Sequence, residues 1–97
     1  MSITHVTPAG GNVFADLGFS GEEAENLKIR SSLMIAISRI IESRGLKQNQ
    51  AAKLFGVAQP RISDLTRGKI DVFTIDSLIN MLAHAGIRVE VTVPDAA

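Results

Sequence analysis

Gln59 and Arg61 stand two positions apart in the segment QNQAAKLFGVAQPRISDLTR (48–67), and each can form paired hydrogen bonds with a flat polar edge. A glutamine amide matches N6 and N7 of adenine, and a guanidinium matches O6 and N7 of guanine. Ser63 adds a hydroxyl two positions further on. These three are the candidates for reading base edges. Around them lie side chains better suited to phosphate: Lys47, Gln48, Lys53, Arg67 and Lys69. Such contacts fix the position of a nucleic acid without distinguishing its sequence. Asp64 would be repelled by a phosphate backbone, so it is expected to orient Arg61 or Arg67, or to turn away. The plainer alternative is that Gln59 and Arg61 are ordinary surface residues of a helical scaffold.

The charge distribution favours the first reading more than the total does. The 97-residue chain is neutral overall, with ten cationic and ten anionic residues. From Arg44 to Lys69, however, six cations face Asp64 alone, a surplus of five. The remainder of the chain holds four cations and nine anions. A neutral protein can thus still present one basic face to phosphate.

Those side chains need two short helices crossing steeply. Ala52 is the small residue at which such helices can touch, and Gly56, four positions later, can take the positive φ of a tight turn. Ala51, Phe55, Val57, Ile62 and Leu65 fall where the pair must bury apolar groups against a preceding helix. Pro60 lies in the first turn of the second helix, where its fixed φ and missing N–H are tolerated. The support for this pair is a long helix predicted over Gly21–Arg44. Ser20 and Glu23 form a capping-box pattern at its start, and Glu22, Glu23 and Glu25 oppose the positive end of its dipole. Leu27, Leu33, Met34, Ile37, Ile40 and Ile41 recur at helical steps, and Gly45 closes it. Thr74 caps a further helix carrying Ile75, Leu78, Ile79 and Leu82, with Gly86 at its end.

The termini read differently. Residues 1–12, with Pro8, Gly10, Gly11 and Asn12, read as a flexible arm, and Val13–Phe19 as a short apolar stretch lying against the body. Ile87–Val93 alternates strictly, with Ile87, Val89, Val91 and Val93 on one face. A lone strand leaves one row of backbone groups unpaired on each side. Pairing with the same strand of a second copy is the favoured solution, making those four residues a dimerisation face; pairing with Val13–Phe19 in the same chain is the alternative. The expected organisation is an arm (1–19), a helical domain (20–86) and a dimerisation strand with its tail (87–97).

The segment 48–67 resembles the helix-turn-helix of the XRE family, which includes the lambdoid phage repressors and Cro. In that family a glutamine opening the second helix and another opening the third cooperate in binding, and Gln48 and Gln59 match them. Pro60 departs from the polar residue often found there. More widely, NVFADLGF, EEAENLKIR, the segment GLKQNQAAKLFGVAQPRISDLTRGK, FTIDSLINML and the strand tail are similar to XRE-type antitoxins of the HigA kind. The resemblance implies an all-α, lambda-repressor-like domain of four to five helices with a C-terminal strand. It also implies a homodimeric repressor on a palindromic operator in double-stranded DNA, a bacterial cytoplasmic, nucleoid-associated location and a possible RelE-like toxin partner. The arm and first helix would be one surface for that toxin. A protein-interaction module without its own operator is the competing expectation.

Catalysis is not expected. There is no cysteine, no glycine-rich phosphate loop, and only two histidines, His5 and His84, too far apart in sequence to suggest a shared site. His5 reads as a solvated tail residue and His84 as part of one face of a late helix. No metal, cofactor, secretory signal or membrane span is expected.

Overall fold

Ser20 starts the longest element by supplying an acceptor: its Oγ takes the N–H of Glu23 at 3.3 Å. Helix α2 then runs Gly21–Ser43, with Arg44 as its C-cap and Gly45 at φ 60° beyond it. A single turn, α1 (Val13–Asp16), precedes it. After it come α3 (Gln48–Phe55), α4 (Gln59–Thr66), a 3-10 turn (Ile70–Val72) and α5 (Ile75–His84). Two short strands, β1 (Ile3–Val6) and β2 (Arg88–Val91), complete the order. This computed structural model describes residues 3–6 and 13–93.

The apolar periodicity of α2 determines what it covers. Ala24, Leu27, Leu33, Met34, Ile37 and Ile41 are buried along one stripe, and the helix, about 34 Å long at 1.5 Å per residue, forms the backbone of the core. Leu78, Met81 and Leu82 of α5 join that core, as do Phe55 of α3 and Ile62 and Leu65 of α4. Phe73, between the 3-10 turn and α5, is 2% exposed. The start of α5 is fixed by a reciprocal cap. Ser77 donates its N–H to Thr74 Oγ1 at 3.0 Å, and Thr74 donates its N–H to Ser77 Oγ at 2.9 Å. Four orphan N–H groups at a helix start make such caps worth about 1 kcal/mol. The all-α expectation therefore holds, with five helices among the described residues where the patterning had separated four.

The strand finds its partner at the other end of the same chain. β1 and β2 form a two-stranded parallel sheet in the register Ile3↔Arg88, Thr4↔Val89, His5↔Glu90 and Val6↔Val91. Part of the segment read as a flexible arm is thus a strand, and neither Val13–Phe19 nor a second copy is needed to pair this side of β2. The expectation missed it because the glycines and proline after Val6 signal a break without revealing a strand before it. The pattern Ile-Thr-His-Val also lacks a period of two.

The alternating face of 87–93 is divided as well. Ile87 lies before the strand and is 4% exposed, packed into the protein's own core, so it is withdrawn from any face between copies. Val89 is half-buried against the same core. Val91 and Val93 remain exposed, at 59% and 82%.

Candidate nucleic-acid interface

The geometry of the basic segment is set by a turn that only glycine fits. Helix α3 begins after Lys47, whose N–H donates to Gln50 Oε1 at 2.9 Å. It ends at Gly56, with φ 67° and ψ 35°, a left-handed conformation that costs other residues roughly 1–2 kcal/mol. A second constraint comes from α5. A Cβ on Gly56 would lie 2.7 Å from the His84 ring, and His84 Nδ1 lies 3.0 Å from the Leu54 carbonyl. That nitrogen, as the protonated one, donates to the carbonyl. His84 is therefore more than a helix-face residue: it caps a carbonyl near the end of α3 and fills the space over the turn. Its role was missed because nothing local in the sequence links it to Leu54, thirty positions away.

Ala52 is 8% exposed at the foot of the turn, and Ile62 and Leu65 bury one side of α4 at 0% and 2%. This leaves the other side of α4 outward. Gln59, Pro60, Arg61, Thr66 and Arg67 are exposed, while Ser63 and Asp64 are half-buried. Gln59 and Pro60 occupy the first two positions of the helix after the N-cap Ala58. Lys47, Gln48 and Lys53 are exposed on and beside α3. Lys69 is exposed too, with Nζ 3.6 Å from Asp64 Oδ1. Asp64 thus pairs with Lys69, where the sequence had pointed to Arg61, to Arg67 or to a side chain turned away. An exposed pair of this kind is worth little in water, so it leaves the lysine available to a stronger anion.

Arg61 differs most from its expected role. Its guanidinium donates to the Val72 carbonyl at 3.0 Å and lies 5.6 Å from the centroid of the Phe73 ring. The side chain therefore runs sideways, from α4 to the connector that leads into α5. Arg30 of α2 does the same from the opposite side, donating to the Ile70 carbonyl at 3.1 Å while also holding the Asn26 Oδ1 atom. Two arginines thus hold successive parts of the 3-10 connector, one from the supporting helix and one from α4. Asn26 and Arg30 are one helical turn apart, whereas Ile70 is forty positions from Arg30 and nothing local links them.

Among the described residues, no group of three His, Cys, Asp or Glu side chains is placed to hold a metal ion. No helix among them is long and apolar enough to cross a membrane. What the surface offers is the exposed first turn of α4 with the Gln59 amide, and exposed cations on α3 and α4. No curated protein matches the chain at a significant level. A family model described as a helix-turn-helix domain matches residues 13–94, which span α1 to β2 and contain the α3–turn–α4 unit. The chain belongs to the helix-turn-helix domain family.

Proposed function

We propose that this protein is a sequence-specific regulator of transcription that binds double-stranded DNA through α4. The observation that carries the reading is the outward first turn of α4, held on a buried base by Ile62 and Leu65 and flanked by exposed cations. A recognition helix reads base edges with residues near its N-terminus. Gln59 is then the principal base-reading residue, with Ser63 further along the helix. Lys47, Gln48, Lys53, Arg67 and Lys69 contact phosphate. Arg61 serves chiefly to orient α4, because reaching a base would require it to leave Val72 and Phe73. Two copies on a palindromic operator, acting in a bacterial cytoplasm on the nucleoid, would make the protein a repressor. With one side of β2 taken by β1, a dimer could use the remaining sheet edges and the exposed Val91 and Val93.

The test is binding of labelled duplexes over a range of salt concentrations. Affinity should fall steeply as salt rises, since displaced counterions dominate phosphate contacts. Gln59→Ala should erase the preference for the cognate site, a change of about 1–3 kcal/mol, while Lys53→Ala should weaken binding to all duplexes alike. Salt-insensitive or undetectable binding would defeat the proposal.

A second reading has one specific observation behind it. Leu17 is 70% exposed and Phe19 41%, with the Phe14 and Phe19 rings edge-to-face at 6.2 Å. An apolar cluster of this kind on and after α1 suits a protein partner. A RelE-like toxin bound there would make the regulator an antitoxin that represses its own operon. Co-purification with the product of an adjacent reading frame tests this, and loss of the complex in Leu17→Glu would support that surface.

A further inference from the structure

We propose that the leading turn of α4 reads a thymine through its 5-methyl group, with Pro60 making the contact and Gln59 hydrogen-bonding an adenine beside it. The inference rests on the DNA-reading role given to α4 and specifies which bases that helix selects. Three features of the turn lead to it.

The first is what the turn lacks. Arg61 would favour guanine, but its guanidinium is held by the Val72 carbonyl and the Phe73 ring on the flank of the helix. The second is what the turn presents. Ala58, Gln59 and Pro60 are all exposed, so a single amide stands between two apolar side chains at the point that would enter the groove. The third is the chemistry of proline. It has no N–H, so it can donate neither to a base nor to phosphate. Its ring loses almost no conformational freedom when covered. Among the four bases, only thymine offers an apolar group on the major-groove edge, its C5-methyl. An exposed rigid ring gains by covering that methyl and offers nothing to the polar edge of a G·C pair. Gln59, immediately before it, can pair with N6 and N7 of an adenine.

The experiment uses the full-length protein. Rounds of selection from randomised duplexes identify its site, and each thymine of that site is then replaced in turn by deoxyuridine, which removes only the methyl. Binding is measured by fluorescence anisotropy. One replacement in each half-site should weaken binding about fourfold, the value of one buried methyl-sized group. Pro60→Ser, checked for unchanged helicity by circular dichroism, should bind the thymine and uracil duplexes equally. A selected site in which no thymine-to-uracil change matters would overturn the inference while leaving DNA reading by α4 intact. So would discrimination that persists in Pro60→Ser, because the methyl would then be read elsewhere. Failure to select any site would remove the proposed function, and this inference with it.

Discussion

The helix-turn-helix unit and the terminal sheet are stabilised in opposite ways. In α3–turn–α4 the interacting parts are close in sequence. Ala52 and Gly56 are four apart, and the buried Ile62 and Leu65 sit just beyond the turn. Apolar burial against α2 then holds the pair in place. In the sheet, each residue of β1 pairs with one about 85 positions away, and the pairing is four residues long. A two-stranded sheet of that length is marginal by itself, so it depends on the helices it rests against. The comparison teaches that the surface carrying Gln59 should be the stiffest part of the molecule and the sheet the easiest to open.

Three perturbations test that ranking, in decreasing order of effect. Ile62→Ala removes a side chain with no exposed surface and should cost about 3 kcal/mol. For a chain of this size that lowers the melting temperature by more than about 10 °C, measurable by calorimetry. A loss under 1 kcal/mol would mean that α4 is less firmly seated than its burial implies. Gly56→Ala combines a left-handed backbone with a collision at the His84 ring, and about 2 kcal/mol is expected. Introducing His84→Ala into that variant should recover part of the loss. Strict additivity of the two changes in denaturant titrations would show that the ring does not constrain the turn. Removing residues 1–6 abolishes the strand pairing and should cost roughly 1 kcal/mol, given the small net worth of each exposed backbone hydrogen bond. Amide exchange should quicken in β2 and stay slow in α4. Faster exchange through α4 as well would mean that the sheet supports the whole fold.

The same contrast explains what could be read from the sequence. Ser20, Gly45, Thr74 and Gly86 mark helix ends through local chemistry, and α2 and α5 lie where those residues put them. The buried positions of α3 and α4 were legible because helical spacing and a turn glycine constrain them together. Gln59, Lys47 and Lys53 are exposed, which the roles expected of them require. The partners of individual side chains were not legible. Arg61 lies against Val72 and Phe73 only because the 3-10 turn brings the connector back alongside α4, and three residues of 3-10 helix carry no distinctive pattern. β1 was hidden for a similar reason: its pairing is decided by where α5 delivers the chain, far along the sequence.

The parallel sheet also has a consequence for synthesis. β1 is translated before the whole helical body and β2 after it, so β1 has no strand to pair with while α2 to α5 emerge from the ribosome. The helices α2 to α5 all lie between the two strands in the chain and can assemble during that interval. Closing a loop of this length costs little more than closing one half as long, because the entropy grows only logarithmically. The sheet is therefore the last joint to form, and its formation reports that the helical body has been completed.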